Sequence, residues 1–135
     1  MEVFDPRAIA TPVYNALTEL RGNCSKDDQI AKQQKGQAVE LYTYLSTWGL
    51  LRLKAEEKAL EKQEGKKAVI EKFFECLQTL WANPDKKITG ADGLKTLTDP
   101  KFSTEDYLGL TGLGLKVAQE FSFWATAIYV GVEGE

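Results

Sequence analysis

The C-terminal segment from Leu108 to Val130 constrains the fold most, because its apolar side chains cover most of a helical circumference. Within it, only Lys116, Gln119 and Glu120 are strongly polar. A helix that is apolar on every side has to be buried on every side. The segment therefore predicts either a central helix enclosed by its neighbours or a helix with one side against a partner, and the sequence leaves both open.

Helical spacing of apolar residues continues through most of the chain, and no run alternates like a half-buried strand. A chain of 135 residues buries enough surface for one core. We expect one all-α domain over residues 1–135, a compact bundle of about five helices with a long apolar C-terminal helix. The predicted helices are Thr11 to Gly22, Gln37 to Glu64 with an interruption at Gly49, Lys66 to Ala82, Ala91 to Leu97, and Ser103 to about Val130. The order of the polar stretch from Ser25 to Gln37 stays undecided.

Composition excludes several classes of function. The chain has no histidine, which rules out a histidine-based triad and a histidine zinc site. Cys24 and Cys76 are too far apart for a CxxC unit, so we expect two plain thiols in a reducing setting. The longest charge-free stretch is too short to cross a bilayer, and no export signal is visible. We expect a cytoplasmic protein with no membrane partner.

The acidic residues suggest a solvated surface and no catalytic pair. Glu57 and Glu61 each follow a lysine at i,i+3 spacing, from Lys54 and Lys58. Such spacing is typical of an exposed, ion-paired helix face. The glycine-rich start of the last helix follows no strand and precedes no phosphate-binding lysine and hydroxyl pair. We therefore expect no catalytic residues, no metal site and no cofactor.

Basic residues recur at helical spacing after Gly49, and they could follow a phosphate backbone. The alternative is that they are simply the outward face of a helix. A net charge of −3 and a pI near 5.1 predict weak RNA affinity for the isolated chain. Lys86 and Lys87 form a second, smaller basic site. The candidate RNA contacts, here termed the predicted strip, are Arg52, Lys54, Lys58, Lys62, Lys66 and Lys67.

The three tryptophans fall at apolar positions of the predicted helices. This placement favours packing in the core over stacking on nucleic-acid bases. They are Trp48, Trp81 and Trp124.

Two segments carry a family resemblance. The last helix begins Tyr-Leu-x-Leu-Thr at residues 107–111 and continues through Leu115, Ala118, Phe121, Trp124 and Ala125. The earlier step Trp48-Gly49-Leu50-Leu51 leads from an apolar helix into an amphipathic one. These segments resemble the closing helix and the Gly-Leu step of the smallest subunit of the type III-B CRISPR (Cmr) effector complex. Val13, Tyr14 and Leu17 occupy the place of its short opening helix.

The resemblance implies a non-catalytic helical subunit inside an RNA-guided ribonucleoprotein of antiviral defence. Its implied partners are the backbone and large subunits, further copies of itself, and the guide and target RNA. Ser122 and Phe123 replace a basic pair of the family, whereas Arg52, Lys54 and Lys58 match its basic helix by position. The alternatives are the small subunit of a type III-A or related complex, and a helical protein-protein interaction module that uses the Phe121–Val130 surface.

Overall fold

A computed structural model describes residues 7–24, 29–60 and 62–134, and this part of the chain is helical without any strand. The all-α prediction is confirmed. The described residues form six helices where about five were predicted, because Gly49 separates two of them with a φ of +89°, which residues other than glycine rarely adopt. The helices are α1 (Arg7–Gly22), α2 (Gln29–Trp48), α3 (Leu50–Ala59), α4 (Glu64–Leu80), α5 (Gly93–Thr98) and α6 (Thr104–Ile128).

Helices α1, α2, α4 and α6 enclose the core, while α3 packs on α2 and α4, and α5 packs on α3. The centre of the core is aromatic. Phe73 lies edge-on to both Phe74 and Phe121, with ring centroids 5.1 and 6.0 Å apart, and all three rings are fully buried. Burying one such side chain contributes roughly 1.5–3 kcal/mol. These contacts explain why the apolar stripes of α4 and α6 face each other.

Helix α1 begins earlier than predicted, at Arg7. Ile9 is buried one turn before Val13, so the apolar stripe extends beyond the predicted start at Thr11. Pro12 consequently lies inside the helix and not in its first turn. Burial of the added turn offsets the backbone hydrogen bond that this proline cannot donate.

Helix α2 begins at Gln29, within the polar stretch whose order the sequence left undecided. Two buried amides explain this helical start. The Gln33 side-chain oxygen accepts from the Gly65 N–H at 3.0 Å, and the Gln34 oxygen accepts from the Tyr129 hydroxyl. Buried polar groups need such partners, and both partners come from distant parts of the chain.

Helix α6 starts as predicted, since the Ser103 hydroxyl accepts from the Asp106 N–H at 3.1 Å. Its burial is different from the prediction. The inner side of α6 packs against α1, α2 and α4, but Leu108 is 64% exposed and Phe123 is 61% exposed. The prediction of a central helix enclosed on all sides is wrong for this chain by itself. No helix in the described ranges has the combined length and apolarity of a membrane span.

The close approach of α2 and α4 at Gly65 is testable. A Cβ at this position would lie 2.5 Å from the Ile30 carbonyl oxygen and 2.7 Å from the Gln33 Cβ. We predict that Gly65→Ala lowers the free energy of unfolding by about 2 kcal/mol, because the two helices must separate. The control is Gly109→Ala on α6, where no atom lies within 4 Å of an added Cβ. We expect the control to raise stability by about 0.5–1 kcal/mol in urea titrations. Equal stability of Gly65→Ala and the parent would contradict the contact.

Candidate nucleic-acid interface

The structure brings together three of the six residues of the predicted strip. Lys54, Lys58 and Lys67 line a cleft of about 570 Å³ between α3, α4 and the segment that leads into α5. Lys62 is exposed in the turn between α3 and α4, and Lys66 is half-buried at the start of α4. Arg52 is exposed on α3, where its guanidinium stacks on the Trp48 ring. The predicted strip therefore comes together only in part, at a cleft that lysines and glutamates line in equal number.

Lys54 is the largest departure from the predicted strip, because only 3% of it is exposed. Its ammonium lies 2.9 Å from the Glu57 carboxylate and 4.7 Å from the centre of the Phe74 ring. Its aliphatic stem packs against Gly93 of α5, where an added Cβ would overlap it. The prediction that Lys54 and Glu57 belong to a solvated face is wrong, and burial removes Lys54 from the candidate RNA contacts. Glu61, the other acid of that face, lies outside the described residues.

The tryptophans are less buried than predicted. Trp48 is 52% exposed, so its predicted place in the core is wrong. It ends α2, and the Arg52 guanidinium covers its ring at 4.4 Å from the centroid. Such an exposed cation-π contact contributes roughly 0.5–1 kcal/mol. Trp124 is half-buried, and the half-buried Trp81 ring stacks on Phe102 at 5.7 Å with 9° between the planes.

A second group of cations lies together around a groove of about 360 Å³ beside α5. Four lysines and two aspartates line this groove, so its lining is basic in a chain with a net charge of −3. A concentration of positive charge raises the local potential for anions, even when the whole protein is acidic. The lining, termed the basic groove, comprises Asp85, Lys86, Lys87, Lys95, Thr96, Asp99, Lys101 and Phe102.

The turn that carries Lys86 and Lys87 is held by Gln78 of α4. The Gln78 side-chain nitrogen donates to the Lys86 carbonyl at 3.2 Å, and its oxygen accepts from the Ile88 N–H at 2.7 Å. The Ile88 side chain is fully buried in the core. The backbone on both sides of Lys87 is therefore fixed to α4. Because this segment is already ordered, it loses less conformational entropy when a ligand binds.

The lysines of the basic groove differ in their present partners. The Lys86 ammonium lies 3.3 Å from the Asp106 carboxylate and 4.9 Å from the centre of the Phe102 ring. Lys87, Lys95 and Lys101 are exposed, and their ammonium groups make no ion pair within the described part of the chain. These three ammonium groups are available to neutralise phosphates.

Sequence reasoning found only part of this groove. Lys86 and Lys87 were predicted as a smaller basic site, whereas Lys95 and Lys101 were not predicted to join them. These lysines lie before α5, within it and after it, so no helical period relates them. Only the packing of α5 brings them together, and the one available signal was the recurrence of lysine between residues 84 and 102.

The described residues contain no group of three Cys, Asp or Glu placed to hold a metal ion. The Cys76 thiol lies 3.7 Å from the Pro12 carbonyl oxygen, to which it donates. Burial raises the pKa of Cys76 to about 11, with the nearby Glu75 carboxylate adding to the rise. The thiol is therefore almost entirely protonated at neutral pH and is a poor nucleophile.

Comparison with known proteins adds no identification. No family model, curated protein or solved structure matches this chain. The function of the chain is therefore inferred from its own residues and from the two segments that resemble the Cmr small subunit.

The buried ion pair of α3 leads to a stability prediction. Lys54→Met should lower the free energy of unfolding by about 3 kcal/mol, because it leaves the buried Glu57 carboxylate without its cation. Adding Glu57→Leu to Lys54→Met should restore most of this loss, since no buried charge then remains. Lys58→Met, at an exposed site on the same helix, is the control and should change stability by at most about 0.5 kcal/mol. Equal losses for Lys54→Met and Lys58→Met in urea titrations would contradict the buried pair.

Proposed function

We propose that this chain is the small, non-catalytic subunit of a type III-B CRISPR (Cmr) effector complex in the cytoplasm. In this role it contacts the backbone and large subunits, further copies of itself, and the guide and target RNA. Its helices supply surfaces for assembly, and the chemistry of target cleavage belongs to other subunits.

One observation carries the proposal: the two segments behind the family resemblance are in direct contact. The Tyr107 hydroxyl, from the Tyr-Leu-x-Leu-Thr start of α6, accepts from the Leu51 N–H of the Gly-Leu step at 3.1 Å. Leu51 lies in the first turn of α3, where backbone N–H groups have no partner within the helix. The two motifs therefore form one structural unit, which supports reading them together as a family signature.

A second contact, on the core side of α6, joins this helix to the Gly-Leu step. Gly114 of α6 lies at van der Waals distance from Leu45, Leu50 and Leu77, with 3.6 Å to each from an added Cβ. Leu50 belongs to the Gly-Leu step, so α6 packs against both sides of the break at Gly49. This packing supports a role in which the angle between α2 and α3 is kept rigid for assembly.

Within the proposed role, the basic groove is the surface best suited to RNA. Its three exposed cations line one groove, with Lys87 on the turn held by Gln78, Lys95 on α5 and Lys101 just after α5. The cleft that Lys58 and Lys67 line also contains the acidic residues Glu57, Glu71 and Glu75, and Lys54 is buried. Phosphate contacts depend on several cations that share one surface, which favours the groove over the strip.

Two alternative functions are compatible with the same structure. A small subunit of a type III-A or related complex would use the same surfaces with different partners. A helical interaction module unrelated to RNA is favoured by the exposed rings of Tyr14 and Phe123, since aromatic side chains are enriched in protein interfaces. The assembly experiment below separates the RNA-guided role from this module.

The proposed role predicts co-assembly. We expect the full chain, expressed with type III-B subunits and a guide RNA, to copurify with them at a fixed stoichiometry after size exclusion. The same chain mixed with the guide RNA alone should bind weakly at physiological salt, because its net charge is −3. A chain that stays outside the complex with every subunit present would contradict the proposed function.

The basic groove predicts a change in salt dependence. For the assembled complex, Lys87→Glu, Lys95→Glu and Lys101→Glu together should reduce the slope of log affinity for RNA against log salt by about 2, because each lost phosphate contact removes about 0.7. The matched control carries Lys58→Glu, Lys62→Glu and Lys66→Glu, which change the net charge equally. We expect the control to keep a slope close to that of the parent in fluorescence anisotropy titrations. A larger slope change in the control than in the groove variant would place the RNA contacts on the predicted strip.

A further inference from the structure

The indole of Trp48 and the guanidinium of Arg52 form an exposed pair at the junction of α2 and α3, termed the Arg-Trp stack. The guanidinium lies 4.4 Å from the ring centroid, and both side chains are exposed. Trp48 is the last residue of α2, and Arg52 lies in the first turn of α3, so the pair spans the break at Gly49. The pair therefore presents a flat, positively charged surface to solvent.

A neighbouring pair on the same two helices limits the movement of Arg52. The Tyr44 hydroxyl of α2 donates to the Glu56 carboxylate of α3 at 3.1 Å, one helical turn from each member of the Arg-Trp stack. Partial burial raises the pKa of Tyr44, the Glu56 carboxylate adds to the rise, and the nearby Arg52 guanidinium opposes it. The guanidinium is thus close to both the Trp48 ring and the Tyr44 hydroxyl. Few orientations of the Arg52 side chain keep both contacts, so the flat surface is formed before a ligand binds.

Two contacts join the Arg-Trp stack to the basic groove. The Leu51 N–H, next to Arg52, donates to the Tyr107 hydroxyl at 3.1 Å. The Tyr107 ring lies edge-on to the Phe102 ring at 6.2 Å between centroids, and Phe102 lines the groove. The flat surface and the groove lysines therefore lie at the same end of the bundle, with the Tyr107 side chain between them.

A flat cationic surface beside several lysines suits single-stranded RNA. Unpaired bases stack on aromatic rings and on guanidinium planes, whereas the bases of a duplex are already stacked on one another. The lysines of the basic groove attract phosphates of either form of RNA. The Arg-Trp stack is the feature of this end of the bundle that distinguishes the two forms.

We infer that the Arg-Trp stack receives an unpaired base of the RNA strand whose phosphates lie in the basic groove. The groove supplies attraction for the phosphates, and the stack supplies selectivity for single-stranded over duplex RNA. Stacking on one aromatic side chain raises affinity about 5- to 100-fold per base. This role rests on the proposed function and specifies the form of RNA that it involves.

Replacement of the ring tests the stack. The full chain is titrated at low salt, by fluorescence anisotropy, with a labelled single-stranded RNA and with a duplex of the same sequence. Trp48→Leu should lower the affinity for the single strand about 5- to 100-fold, because the base loses its surface. Its affinity for the duplex and the slope of log affinity against log salt should match the parent, since no phosphate contact is lost. Phe123→Leu, which removes an exposed ring from α6, is the control and should bind both RNAs as the parent does.

Arg52→Lys separates stacking from charge. Lysine keeps the positive charge but lacks the guanidinium plane. We expect the affinity for the single strand to fall about two- to fivefold with an unchanged salt slope. Lysine would serve as well as arginine if Arg52 only met a phosphate, so full single-strand affinity in Arg52→Lys would contradict the stacked guanidinium.

Three further results would overturn the inference. They are a single-strand affinity that survives Trp48→Leu, an equal loss for the single strand and the duplex, and a parent chain that binds no single-stranded RNA at low salt. If Trp48→Leu keeps its RNA affinity but no longer copurifies with the type III-B subunits, the Arg-Trp stack is a protein contact. That result would overturn this inference alone and leave the proposed function standing.

Discussion

Burial of the inner side of α6 against α1, α2 and α4 is the contact on which the rest of the structure depends. Phe121 brings α6 onto Phe73 of α4, and Gly114 lets α6 approach the junction of α2 and α3. The Tyr107 hydroxyl then accepts a hydrogen bond from the Leu51 N–H in the first turn of α3. Once these contacts form, the position of α3 relative to the bundle is set, and α5 closes over it. The resemblance segments are therefore also the segments that organise the core.

Lysine has two different uses in this small domain. Lys54 is buried with Glu57, above the Phe74 ring and beneath α5, so its charge serves the packing of α3. The lysines of the basic groove keep their charges in water on a turn that Gln78 fixes. A buried ion pair contributes little net stability but specifies which groups must meet. The distinction decides which cations are available to a polyanion.

The sequence predicted the helical class, the break at Gly49 and the start of α6 at Ser103, because helical periodicity, glycine and capping are local signals. It did not predict the burial of Lys54, because the cover comes from α5, far along the chain. The helical start of α2 was missed for a similar reason: Gln33 finds its partner on α4. The prediction for Trp48 was wrong because α2 ends at this residue and its ring is left exposed beneath the Arg52 guanidinium. The basic groove was predicted only at Lys86 and Lys87, since its other lysines meet through tertiary packing.

These features support one account, in which a rigid helical unit joins an RNA-guided complex and carries its RNA contacts on the basic groove. Ultraviolet crosslinking of the assembled complex to its guide and target RNA, followed by mass spectrometry, tests this account most directly. The account predicts that crosslinked peptides of this chain come from the region between Asp85 and Phe102. Crosslinks confined to α3, or none to this chain in an otherwise complete complex, would contradict it.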